Sequence, residues 1–222
     1  MPIRNTALLA ALAAAVAAAV ALYGGGPGAR AQTAKEEFRA KRHFKIERPA
    51  NLSPAEALTI YDNIAETMAN AYALSREIAA LRYRKWRRYN TAPYRSATHG
   101  NRYVNNYANA RTTHYGRLKS GERMPPGAIV AKDSFTVSAN GDVYGGPLFV
   151  MEKLGEGVSP RTGGWRYVMI MPDGSYFGDS TGENAGRVEF CDSWHRTAKQ
   201  DRLFFIPEPY RRRFLGGGAT GN

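Results

Sequence analysis

Ala128-Ile129-Val130-Ala131-Lys132-Asp133-Ser134-Phe135-Thr136-Val137, then Asn140-Gly141, then Gly146-Pro147-Leu148-Phe149-Val150-Met151-Glu152-Lys153-Leu154 reads as two extended runs joined by a tight reversal. Ile, Val, Phe and Thr crowd both runs, and such side chains suit a pleated surface. Asn-Gly supplies the positive backbone angles that a type I′ hairpin demands. Pro125-Pro126-Gly127 turns the chain into the first run, and Trp165-Arg166-Tyr167-Val168-Met169-Ile170-Met171 adds a third strand after the loop from Gly155 to Gly164. Pro172-Asp173-Gly174 reverses that strand into a short fourth at Ser175 to Phe177. Strands joined by short turns pair with their neighbours. The pattern therefore predicts an α+β fold with one antiparallel, meandering β-sheet packed with helices.

Ahead of the strands, Ser53-Pro54-Ala55-Glu56 marks a helix start, with serine as N-cap, proline at the first helical position and glutamate at the third. Leu58, Tyr61, Ile64, Met68, Tyr72, Ser75, Ile78 and Leu81 follow at steps of three or four. This predicts one long N-terminal amphipathic helix of about eight turns, reaching about Trp86. Its apolar stripe suits core packing, with a dimer face as the alternative. Pro93 to Gly116 is dense in tyrosine, asparagine and histidine without a clean period, and is expected to wrap the sheet or line a pocket. His99 and His114 lack second ligands at zinc spacing and read as ordinary hydrogen-bonding histidines.

The first residues carry the marks of an export signal: Arg4, then an apolar run from Ala7 to Tyr23, then Ala29-Arg30-Ala31 as a cleavage site. Cleavage is expected after Ala31, since the run is shorter than the ~20 residues of a spanning helix. The expected organisation is a signal peptide over 1–31, a flexible lead-in over 32–52, one domain over 53–215 and a disordered tail over 216–222. The expected location is the periplasm, with no membrane embedding. The net charge is +12, and +10 once Arg4 and Arg30 have left with the signal. Basic residues interleaved with aromatics at Arg82 to Arg88 resemble a nucleic-acid patch, but export argues against that partner. A solvated helix end is the favoured reading, and an acidic redox partner or an anionic membrane surface is also compatible.

The single cysteine cannot form an internal disulfide. It stands in Phe190-Cys191-Asp192-Ser193-Trp194-His195, a C-x-x-x-H spacing. Covalent haem attachment uses C-x-x-C-H: two thiols add to the haem vinyl groups, and the histidine ligates the iron. Residues i, i+3 and i+4 of a helical turn share a face, so one short segment can hold all three groups. Here Trp194 occupies the second cysteine's place. The competing readings are a buried thiol beside a surface histidine, or a zinc site of Cys191, His195 and a further histidine.

Taken together, the blocks Met124-Pro125-Pro126-Gly127 to Lys132, Gly146 to Lys153, Gly164-Trp165-Arg166-Tyr167, Pro172-Asp173-Gly174 and Phe190-Cys191 to His195 resemble the cytochrome P-460 family, which includes the beta-type cytochromes c-prime. Asp201, Phe204, Phe205 and Glu208 to Arg211 extend the likeness, which runs from about Trp86 to Arg211. The resemblance implies an antiparallel sheet with helices, one c-type haem per subunit, a periplasmic location and often a homodimer. Carried over, Cys191 is the thioether residue and His195 the axial ligand of the iron.

Members that oxidise hydroxylamine cross-link a strand lysine to the porphyrin, and Lys132 falls at the matching place. The beta-type cytochromes c-prime lack the cross-link and bind gases such as nitric oxide at a five-coordinate iron. Trp194 departs from the family, because an indole cannot add to a vinyl group and one thioether is the most that can form. The expected function is that of a periplasmic haem protein binding or oxidising small nitrogen compounds at an open iron position. Electron exchange with a partner protein is part of that expectation. A haem-free relative acting as a non-enzymatic binding domain is the alternative. Phe149 and Met151 are the distal candidates, with ordinary core packing the simpler reading of both.

Overall fold

The computed structural model describes residues 49–112 and 114–213. The expected signal peptide, most of the lead-in and the expected tail lie outside the described residues. Among those residues are the helices α1 (Pro54–Ala73), α2 (Ile78–Arg82) and α3 (Glu189–His195). The strands are β1 (Arg87–Arg88), β2 (Tyr94–Ser96), β3 (Arg102–Ala108), β4 (Ile129–Val137), β5 (Val143–Gly145), β6 (Leu148–Lys153), β7 (Trp165–Ile170) and β8 (Tyr176–Asp179). All eight pair antiparallel in one sheet, with the spine β1-β3-β4-β6-β7-β8. The fold is α+β, as the hairpin pattern predicts. No helix among the described residues is long and apolar enough to cross a membrane.

β4 is the strand on which both halves of the protein are built. It pairs with β3 along one side, and with β5 and then β6 along the other. The break between β5 and β6 falls at Gly146, where a Cβ would stand 2.3 Å from Ser134 Oγ. Alternation of side chains along β4 gives the sheet two distinct faces. Ala131, Phe135 and Val137 join Tyr61, Met68 and Tyr72 of α1 in one core. Val130 joins Met151, Trp165 and Tyr167, together with Leu203 and Ile206 from the C-terminal segment, in the other.

α1 begins with the expected capping box: Ser53 Oγ accepts from Glu56 N at 3.3 Å, and Glu56 Oε2 accepts from Ser53 N at 2.8 Å. Its end differs from the expectation. The helix stops at Ala73, and Arg76 takes a left-handed φ of 60° before α2 begins. Two contacts account for the break. The Asp173–Gly174 turn packs against the helix end, so a Cβ on Gly174 would lie 2.5 Å from Ala71 O. Glu77 is held by Arg166 at 2.9 Å and by the Tyr176 hydroxyl at 2.9 Å. Arg166 also binds Glu152 and Asp179, so three carboxylates from three segments meet on one guanidinium. The restart turns the apolar stripe: Ile78 and Leu81 are exposed, while Ala79, Ala80 and Tyr83 go into the core.

Pro93 to Gly116 also differs from the expected irregular wrap, because it supplies β2 and the fully paired β3. Asn105 and Asn106 disguise β3, since asparagine is poor in strands. Both are completely buried and fully engaged. Asn105 Nδ2 donates to Asp133 Oδ1 at 3.1 Å and its Oδ1 accepts from Asn90. Asn106 binds the Tyr94 and Tyr115 hydroxyls. β1 and β2 share one edge of β3, and β8 carries a bulge opposite Met169 and Ile170. Pro49 bridges Ser138, and Ala50 N donates to Val137 O, so the last residues of the expected lead-in follow the sheet.

Candidate functional site

α3 puts Cys191 and His195 four residues apart, on one face of a two-turn helix. Both line a cleft between α3 and the sheet, whose empty space is about 460 Å³ with its open mouth included. Phe190 and Trp194 contribute from the same helix, Phe149 and Met151 from β6, and Tyr167 from β7. Thr98 and His99 close it from the short 3-10 turn Ala97–His99, and Phe204 from the C-terminal segment. Most of this lining is apolar or aromatic.

His195 is the best-fixed group in the cleft. Its imidazole is buried beside Tyr167 and Phe204, with ring centres at 5.7 and 5.6 Å. Nδ1 lies 2.7 Å from the carbonyl oxygen of Arg202. A carbonyl only accepts, so Nδ1 carries the proton and donates, and the lone pair is left on Nε2. Nε2 makes no hydrogen bond among the described residues. Burial, reinforced by the charge of Lys132, pushes the imidazolium down to about 4, so the ring is neutral at physiological pH.

The carbonyl that holds His195 belongs to an unusual turn. Asp201 and Arg202 both take left-handed φ values, 46° and 63°. Each such non-glycine residue costs about 1–2 kcal/mol. Ion pairs hold both in place. Asp201 accepts from Lys153 Nζ at 2.7 Å and from Met124 N at 2.8 Å, and the Lys153–Asp201 pair is almost wholly buried. Arg202 reaches back to Asp192 on α3, which Arg196 also binds at 2.6 Å. α3 is therefore fastened to the Arg202 turn twice, through Asp192 and through His195. Strain maintained this way beside a bare nitrogen donor is a feature of functional sites.

The remaining expected site residues are also placed. Cys191 is half-buried on the cleft wall, and burial raises its thiol to about 12, so it rests protonated. Trp194 is 54 % exposed and stands at the rim. Phe149 lines the cleft wall, and Met151 lines it too while belonging to the core beneath. Lys132 lies on β4 opposite Asn106 and Phe149, on the cleft side of the sheet. It is buried, and its ammonium is pushed down to about 8 by desolvation. Lys132 forms no hydrogen bond or ion pair among the described residues, and its charge lowers the affinity of both His99 and His195 for protons. His114 is exposed and outside the cleft.

His99 is the cleft residue that spacing rules missed. Its partners come together only through the fold: Phe149, 4.8 Å away centre to centre, and His195, 6.4 Å away. No local pattern around His99 reports either contact.

No protein-family model matches this chain, and no curated protein does.

The residues fit a haem on three counts. The cleft is largely apolar, and its His195 imidazole is tied at Nδ1 and bare at Nε2, the arrangement usual for metal-ligating histidines. A thiol stands on the same helical face at the spacing of haem attachment. Aromatic side chains from sheet, helix and C-terminal segment supply apolar surface for a large flat ring. The fit stops at one thioether, because Trp194 brings no sulfur. The zinc alternative fits less well, since no group of three or more His, Cys, Asp or Glu side chains gathers around a point among the described residues.

Proposed function

We propose that this protein is an exported haem protein, tethered to its haem by Cys191 and ligated to the iron by His195, that binds or oxidises small nitrogen compounds such as nitric oxide or hydroxylamine. The observation that carries the reading is the pairing of His195 and Cys191 on one helical face of an apolar cleft, with Nε2 of His195 left bare by the Nδ1 hydrogen bond. A haem held there supplies an iron that binds small ligands and exchanges single electrons. The protein's own residues do the rest. His195 stays neutral and oriented through Arg202, and the ring of Phe149, Met151, Tyr167 and Phe204 keeps water from the ring face. Cys191 would hold the group through one thioether, its S–H adding across a vinyl group with no atom lost. Lys132 keeps a single buried positive charge beside the site, which favours anionic ligands or products there; by the resemblance it also stands where a porphyrin cross-link would form. A soluble redox partner and a homodimer belong to the same reading.

The test is the colour of the purified exported protein made together with a cytochrome maturation system. The expected result is a Soret band that survives acid-acetone extraction. In Cys191→Ala the haem should pass into the organic phase, and in His195→Ala the native axial ligation should be lost. Colourless protein would overturn the reading in favour of a haem-free binding domain. An unchanged extraction in Cys191→Ala would remove that residue from its role.

A further inference from the structure

His99 and His195 line the same cleft from different elements of the fold. His99 is carried by the turn Ala97–His99, between β2 and β3, far in sequence from α3. Its Nδ1 is engaged by Ser96 Oγ at 2.7 Å and by Thr98 Oγ1 at 3.1 Å. Its Nε2, like that of His195, has no hydrogen-bond partner among the described residues. The rings are 6.4 Å apart centre to centre, with their planes at 68°. A metal–nitrogen bond is about 2 Å, and a ring centre lies about 1 Å behind its nitrogen, so two imidazoles on opposite sides of one metal ion stand about 6 Å apart. The observed spacing is that of such a pair. Two side chains on separate elements, each tied at Nδ1 and bare at Nε2, share a cleft with no other imidazole among its lining residues.

We infer that His99 is a displaceable sixth ligand on the side of the iron opposite His195. The inference rests on the haem reading above and changes its meaning: the position for small ligands is guarded, and a ligand enters by displacing an imidazole. The two ligands differ in how firmly they are held. His195 is gripped through α3 and two ion-paired residues in left-handed conformation, whereas His99 sits on a three-residue turn. That turn's neighbours Ala97 and Thr98 are exposed, and it ends at Gly100 with φ 73°. The His99 ring itself is held by two hydroxyls, Ser96 Oγ and Thr98 Oγ1, with no ion pair behind it among the described residues. A ligand that must first displace His99 binds more weakly than the bare iron would allow, in proportion to how seldom His99 is off the metal.

The experiment compares visible and electron-paramagnetic-resonance spectra of the ferric haem protein in wild type, His99→Ala, His99→Gln and His114→Ala. His99→Gln keeps a hydrogen-bonding group near Ser96 but has no imidazole, and His114→Ala removes an exposed histidine as a control. The wild type and His114→Ala should be six-coordinate and low-spin. Both His99 variants should turn high-spin, bind added imidazole at least tenfold more tightly than wild type, and regain the low-spin spectrum when it is bound. A coloured wild type that is high-spin, with spectra and imidazole affinity unmoved by either His99 variant, overturns this inference and leaves the haem reading standing. Colourless protein overturns both.

Discussion

The two faces of the sheet arrange their polar groups differently. Toward α1, Asp133 is completely buried, yet it accepts from the Tyr61 hydroxyl at 2.5 Å and from Asn105 Nδ2 at 3.1 Å. Tyr61 and Tyr107 share a hydrogen bond at 2.6 Å, and Arg84 donates to both hydroxyls. That network leaves only the neighbouring Tyr83 hydroxyl without a partner. Toward α3, two imidazoles and one ammonium end in nitrogens with no hydrogen-bond partner, beside an apolar cleft. None of these three nitrogens is among the fully buried unpartnered side-chain atoms of the described residues, which are the Tyr83 and Tyr167 hydroxyls and Trp165 Nε1. The first face ties its polar groups to one another, and the second sets two imidazoles on the wall of a cleft.

The largest effect that would sharpen this contrast comes from Asp133→Ala. It strands two buried donors at about 1–3 kcal/mol each and should lower the urea-unfolding free energy by about 4 kcal/mol. The spectrum of bound haem should stay unchanged; a spectral shift would show that the faces are not separable. Next comes acid. His195 is held well below its ordinary value of 6.5, at about 4, by burial and then by Lys132. In haem-free protein its neutral form is the folded form, so its contribution is fully present above pH 6.5 and is lost as pH falls through 4. The loss amounts to about 3 kcal/mol. It is read as a falling urea midpoint over that window, and His195→Gln should flatten the curve. The smallest effect on stability is expected of Trp194→Cys at the exposed rim, within about 0.5 kcal/mol. It restores a second thiol, so mass spectrometry of digested protein should find haem on two cysteines in place of one. Finding one would show that Trp194 does not stand where a second vinyl group lies.

Much of the sheet was legible in the sequence because β4, β6 and β7 are rich in branched and aromatic residues and are punctuated by Asn140-Gly141 and Asp173-Gly174. β3 was not. Its strand character depends on Asn105 and Asn106 finding Asn90, Asp133, Tyr94 and Tyr115, which are distant partners that no window of sequence displays. The helix break at Ala73 was hidden for the same reason: periodicity continued through Ile78 and Leu81, while Glu77 was pulled aside by Arg166 from another strand. In the site, Cys191 and His195 declared themselves by spacing because they share one helix. His99 declared nothing, because its chemistry depends on Phe149 and His195 being folded onto it.

The margins of the sheet carry a consequence for assembly. One border is divided between two short strands, β1 and β2, laid end to end on β3, and the other is the four-residue β8 with its bulge. Neither gives a second molecule a long straight ladder to continue, which is how natural sheets avoid zipping into polymers. Among the described residues, the backbone ladder ends on both sides in short or bulged strands.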